Sequence, residues 1–368
     1  MAPNVFQSYL MGGFECSTHR NRAGKRIDVV AASGHDRFAE SDYENLLRIN
    51  MRTARDGTRW HLIEKNPYRY DWSSVLRQVV AAKATGIQII WDLFHYGYPD
   101  GLDLFSEEFI GRFAAYAKAF IELLIDHGEN EPLICLSNEI SFFSWAAGQV
   151  GIFYPFEKNR GDEMKRQLVR ASIAAADEIK KIAPAAVLIQ TDPAIRVLPS
   201  KPADARDAEN FHNSQFYALD LLTGRANPEI GGNPRYLDVL GVNYYSRNQW
   251  RHPSGRRIFR GHKNYRPFRE ILGEFYARYQ KPLFVAETGI EDEARPEWFG
   301  YICREVRAAQ SNGVPILGIC FYPIVNHPGW DDDRHCYNGL WDYPNESGTR
   351  QIYEPLAAEI KKQMILFQ

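Results

Sequence analysis

Residues 132–139 read PLICLSNE, and residues 282–289 read PLFVAETG. Each opens with a proline, runs through apolar residues and reaches a glutamate, Glu139 in the first and Glu287 in the second. Such near-continuous hydrophobicity is how a strand reads when both its faces are buried, as in a parallel sheet. A carboxylate at the end of that run must be paired, hydrogen-bonded or solvated in a pocket, because burying it bare is costly.

Working outward, comparable runs occur at 5–12, 58–64, 87–94, 132–137, 186–191, 237–243, 283–287 and 316–322. Helical patterns alternate with them at 41–54, 73–85, 106–127, 161–183, 207–222, 265–279, 296–312 and 353–365. The third helix is the clearest, with Phe109, Phe113, Tyr116, Phe120 and Leu124 on one face, opened by Ser106 and closed by Gly128. Strict alternation of strands and helices predicts an α/β fold, a (β/α)8 TIM barrel forming a single domain over residues 1–368. No GxGxxG turn follows the first strand, which weighs against a doubly wound dinucleotide fold. The stretches 193–206 and 246–262 read as long loops.

Composition narrows the function. With 44 Lys and Arg against 46 Asp and Glu, the formal charge is −2, which argues against a nucleic-acid partner. Aromatic residues make up 13% of the chain, and without a basic bias their faces suit sugar rings better than bases. No apolar stretch approaches the ~18 to 20 residues of a membrane span, so no membrane partner is expected. Five cysteines without a CxxC pair suggest neither a disulfide framework nor a zinc knuckle. The opening residues lack the basic and apolar regions of a secretory signal, and the expected setting is cytoplasmic.

Chemistry in such a barrel sits at the carboxyl ends of the strands. Asn138 and Glu139 end the fourth strand and Glu287 the seventh, which makes two glutamates facing one cavity the central candidates. Trp330, after Pro328 and Gly329, is placed on a loop as a stacking platform under a sugar, and Trp145 on an outer subsite. The run from Asp331 to His335 has acidic residues and an imidazole but no metal-loop spacing, and reads as a polar rim. No metal and no cofactor are expected. Arg256, Arg257, Arg260 and His262 read as a basic surface loop.

These residues resemble the retaining glycoside hydrolases of clan A, and more closely the beta-glucosidase family, family 1. The fourth and seventh strand ends are similar to that family's Asn-Glu-Pro and Thr-Glu-Asn-Gly motifs, although Ile140 stands in place of the proline and Thr288 in place of the asparagine. The resemblance implies that Glu139 is the acid/base, Glu287 the nucleophile, and Asn138 a ligand of the sugar 2-hydroxyl. Thr58-Arg59-Trp60 resembles the segment whose arginine hydrogen-bonds the nucleophile. His95, after Trp91-Asp92-Leu93-Phe94, resembles a sugar-contacting histidine. Asn243-Tyr244-Tyr245 is similar to an Asn-x-Tyr that sets a tyrosine hydroxyl, here that of Tyr245, near the nucleophile. Asn338 to Tyr343 resembles the segment after the eighth strand. The first strand departs from the pattern, with Glu15 standing where the family uses a glutamine on sugar hydroxyls.

The implied function is a retaining beta-glycosidase acting by double displacement on a small carbohydrate, a beta-glucoside or beta-galactoside. A transglycosylase of the same mechanism, a metal-dependent barrel hydrolase and a non-catalytic sugar-binding barrel are the alternatives. The metal-dependent reading wants a His-x-His at the first strand, where Phe14-Glu15-Cys16 offers none.

Overall fold

The structure, a computed structural model, describes residues 5–367. Eight parallel strands close into a barrel: β1 (Leu10–Gly13), β2 (Thr53–Gly57), β3 (Gln88–Asp92), β4 (Leu133–Asn138), β5 (Val187–Pro193), β6 (Val239–Asn243), β7 (Leu283–Thr288) and β8 (Ile316–Phe321). Neighbours pair in sequence order, and β1 closes the ring against β8 with Leu10 opposite Ile319. Each strand leads to a helix on the outside: α1 (His35–Arg48), α2 (Ser73–Thr85), α3 (Glu107–Asp126), α4 (Gly161–Ile182), α5 (Ala205–Leu222), α6 (Phe268–Tyr279), α7 (Arg295–Ser311) and α8 (Glu354–Leu366). The expected (β/α)8 barrel is the observed one.

The lower barrel interior is filled by side chains including Met11, Ile90, Leu133, Ile189, Val239 and Phe284, all buried. A larger apolar layer lies between strands and helices, where α3 sets Phe109, Phe113, Tyr116 and Phe120 against the barrel. Ser106 caps α3 by accepting from the Phe109 N–H, and Glu107 and Glu108 complement the positive end of the helix dipole. No helix among the described residues is long and apolar enough to cross a membrane.

Two expectations need correcting. The second strand is Thr53–Gly57, while the expected 58–64 contains a short helix, Trp60–Ile63. Correspondingly α1 covers His35–Arg48, six residues ahead of the expected 41–54. Thr-Ala-Arg-Asp-Gly is polar because its arginine and aspartate find ionic partners inside the protein, so a search for apolar runs passes over it. The loops at 193–206 and 246–262 are also more regular than expected. Arg196–Pro199, Gln249–His252 and Arg256–Arg257 form a three-stranded sheet, and Arg256 and Arg257 are exposed on its edge.

Candidate active site

Both terminal glutamates sit where strand register breaks. The β4–β5 register shifts between Cys135 and Asn138, and the β7–β6 register shifts between Val285 and Glu287. Such irregularities turn a strand and re-aim its side chains. Glu139 then takes a left-handed conformation (φ 45, ψ 57), uncommon for a residue with a side chain. Its N–H donates to the Thr191 carbonyl at 3.0 Å, and the Asp192 carboxylate accepts from the Ser141 N–H and hydroxyl, each at 3.0 Å. The end of β5 thus clamps the turn that presents Glu139. Tyr96, also left-handed at φ 72, donates its hydroxyl to Glu139 Oε2 at 2.8 Å.

The two glutamates line one cavity of about 760 Å3 at the mouth of the barrel. Arg55 of β2, fully buried, bonds one of them. Its Nη1 donates to Glu287 Oε1 at 2.8 Å, its Nε and Nη2 hold Asp92 at 3.0 and 2.7 Å, and Nη2 also donates to Asn138 Oδ1 at 2.8 Å. Asn138 Oδ1 also accepts from Thr191 Oγ1 (2.7 Å) and Asn243 Nδ2 (3.2 Å), and that same Asn243 nitrogen reaches Glu139 Oε1 at 2.9 Å. Tyr245 donates its hydroxyl to Glu287 Oε2 at 2.8 Å.

The environments separate the two carboxyls. Burial raises the Glu139 pKa and the Glu287 charge adds to it, against hydrogen bonds from Asn243 and Tyr96, taking it up to about 8. Burial also raises Glu287, but there the Arg55 charge and the Tyr245 hydroxyl pull the other way. Glu139 is therefore the better proton holder and Glu287 the better anion. Burial lowers the His95 pKa, but bonding to Asp92 and the charge of Glu15 outweigh it and raise the value. Asn138 opposes protonation at Nε2: its oxygen is committed to three donors, so its N–H faces His95 Nε2 at 3.0 Å. That arrangement favours a neutral ring with its proton on Nδ1, 3.1 Å from Asp92.

The expected site residues divide into three groups. Glu15, His95, Glu139, Trp145, Tyr245, Glu287 and Trp330 all line the cavity. Asn138 and Asn243 lie beneath its floor, buried and engaged with protein groups. Arg59 does not reach Glu287; it pairs with Asp28 at 3.1 Å and donates to the Ser74 carbonyl at 2.7 Å. The contact expected of Arg59 belongs to Arg55, four residues earlier and inside the strand. Sequence reasoning also missed Tyr96, adjacent to His95, and the lining residue His327, whose Nε2 lies 3.0 Å from Nδ2 of Asn338, in the segment after the eighth strand.

The Asp331–His335 run is an ion-paired rim, with Lys25 on Asp333 at 2.5 Å, Arg334 on Glu291 at 2.6 Å and His335 on Asp342 at 2.9 Å. Among the described residues one set of metal-ligand types converges, Cys16, Asp92 and His95, with atoms within 4.8 Å of one another. Arg55 already occupies Asp92 through two nitrogens, and a metal cation beside it would meet that charge. The set reads as a proton-sharing network. All five cysteines are unpaired and buried.

No protein-family model matches the chain, and no curated protein matches it by sequence. Solved structures do match in fold. The family 1 beta-glucosidase from Thermotoga maritima superposes with a TM-score of 0.79 at 14% identity, covering 98% of this chain and 99% of that one. The beta-glucosidase of the same organism in complex with castanospermine gives 0.79 at 14% identity, with 98% of each chain covered. Its complex with isofagomine lactam gives 0.79 at 16% identity over 98% of each. At such identity the likeness is one of fold, and the chain has the barrel fold of family 1 beta-glucosidases.

Proposed function

We propose that this protein is a retaining beta-glycosidase that hydrolyses a small beta-glucoside or beta-galactoside through Glu287 and Glu139. The observation that carries the reading is the pair itself: two carboxyls on one cavity, with a cation against one and none bonded to the other. Glu287, ionised beside Arg55 and Tyr245, attacks the anomeric carbon. Glu139, protonated, delivers its proton to the departing oxygen, and a glycosyl ester on Glu287 results. Forming that ester removes the negative charge that raised Glu139. Its pKa falls, and as a carboxylate it takes a proton from the water that attacks the ester.

Asn138 acts in this scheme as the junction that aligns Arg55, His95, Tyr96 and Asn243. Glu15, His95 and Trp330 supply the sugar-binding wall: Glu15 accepts from the Ser17 N–H through one oxygen, and the buried Trp330 indole N–H has no protein partner. Both are groups that a sugar hydroxyl would satisfy.

Incubation with 2-fluoro glycosides of several sugars, followed by peptide mapping, tests the proposal. A stoichiometric label on Glu287, released slowly by water, is the expected result. A label on another residue, or none with any sugar while the protein is folded, overturns it.

A further inference from the structure

Away from the two glutamates the cavity changes character. Its outer half is walled by Phe142, Trp145, Ile195, Phe211 and Trp250. Phe211 and Trp250 meet edge to face at 5.8 Å, and Phe142 lies 6.0 Å from Trp145. Two of the polar residues there, Gln215 and Asn248, are engaged with protein groups, while Asp162, Asp207 and Asn210 also line the cavity. Gln215 accepts from the Ile195 N–H at 2.8 Å and donates to the His212 carbonyl at 2.7 Å, and Asn248 donates to the Ala194 carbonyl at 2.8 Å. A flat apolar ring would find open aromatic faces there.

One cationic group breaks the apolar wall. Lys165 of α4 is 7% exposed and is the only Lys or Arg lining the cavity among the described residues. One of its three N–H donors goes to the Ser214 carbonyl at 3.2 Å, and the Tyr217 ring lies 5.5 Å away. No carboxylate comes within ion-pair distance of it among the described residues; Asp192 and Asp162 act only through their fields. Both Asp192 oxygens are taken by Ser141. Burial lowers the amine's pKa, a penalty that a bound anion would offset. The charge of Asp192 raises the Glu139 pKa and favours the charged form of Lys165.

We propose that the outer half of the cavity receives an aromatic aglycone bearing a carboxylate, with Lys165 as its counter-ion. The inference rests on the glycosidase reading for its chemistry and adds the substrate class. The carboxylates of Glu139, Glu287, Asp162 and Asp207 that line the cavity would repel an anion, so the carboxylate of the aglycone belongs against Lys165, whose remaining N–H donors can bond it.

The test compares kcat/KM for 4-carboxyphenyl and 4-carbamoylphenyl β-glycosides of the sugar that labels Glu287. The intrinsic leaving-group difference cancels when the ratio is compared between enzymes. Lys165→Met is expected to lower the carboxylate-to-amide ratio by about 10- to 100-fold, and Lys165→Arg to keep most of it. An unchanged ratio in Lys165→Met overturns the proposal. Should that variant not fold, binding of 4-hydroxybenzoate against 4-hydroxybenzamide to the unaltered protein decides: about tenfold tighter binding of the acid is expected, and equal binding refutes it. This measurement needs no turnover, so an enzyme that failed to cleave any glycoside would still report on Lys165.

Discussion

Arg55 and Asp56 are neighbours in β2, and because a strand alternates its faces they enter two different ionic networks. Arg55 points into the barrel, where one guanidinium serves Asp92 and Glu287, with Glu15 and Glu139 close by. Asp56 points into the helix layer, where His35 lies between Asp42 and Asp56 at 2.8 Å each and Arg350 holds Asp42 at 2.5 and 2.9 Å. The outer network is balanced, two cations against two carboxylates, and sealed. The inner one is acidic in excess and opens onto a cavity. A fold that needed only stability would have no use for the second arrangement, since each surplus buried carboxylate costs free energy. The imbalance therefore marks the working site.

Removing one ionic partner from each network should have opposite consequences. Glu287→Ala is expected to reduce turnover by about 10^4-fold or more, with no loss of melting temperature, because Arg55 keeps Asp92. Added azide should restore glycosyl transfer with inversion at the anomeric carbon. More than about one per cent residual turnover in a preparation free of wild type would contradict the nucleophile assignment. Arg350→Met leaves Asp42 and Asp56 sharing one imidazolium in a buried setting. The expected cost is about 3–5 kcal/mol of stability, read by urea unfolding, with turnover per folded molecule retained. A large fall in kcat without loss of stability would show that the outer network is not merely structural.

The two histidines sharpen the contrast through pH. Both nitrogens of His35 face carboxylates, so the ring is an imidazolium; burial alone would lower its pKa, but Asp56 and Asp42 raise it to about 9. A folded value above the unfolded one, 6.5, gives stability that is complete below about pH 6.5 and lost as pH rises through 9. The loss is expected to be about 3 kcal/mol, visible in unfolding titrations from pH 6 to 10 and absent in His35→Leu. Activity should fail earlier. Glu139 must carry its proton into the first step, so kcat/KM should fall as pH rises through about 8 while the protein remains folded. An alkaline limb that tracks unfolding would deny Glu139 the acid role.

Much of this was legible in the sequence. Seven strands, both glutamates and the Asn-x-Tyr segment lie in apolar runs whose ends mark the barrel mouth. The networks were harder to see because their residues are ordinary surface types. Thr53–Gly57 carries no apolar run, and its first two residues read as the end of a helix over 41–54, until Asp92 and Glu287 are brought from strands β3 and β7. Tyr96 is indistinguishable from a core aromatic without the left-handed turn that aims it at Glu139. His35 and Arg350 lie 315 positions apart in the chain. Patterning along the chain reports burial on a face, whereas pairing across the barrel is a property of the closed ring.

Arg59 carries the smallest expected effect and the cleanest discrimination. By resemblance it was the arginine of the nucleophile; in the folded protein it holds Asp28 at 3.1 Å, on the segment before α1, and Asp36 at 3.5 Å, in the first turn of α1. Arg59 is buried but touches neither glutamate, so Arg59→Ala should cost about 1–3 kcal/mol of stability and leave kcat/KM and its pH profile in place. Arg55→Lys, by contrast, keeps the charge but cannot supply separate nitrogens to Glu287, Asp92 and Asn138 together. It should lower kcat far more than it lowers stability. If Arg59→Ala proved the more damaging to turnover, the β2 register would be wrong by four residues, and with it the account of why Glu287 is charged.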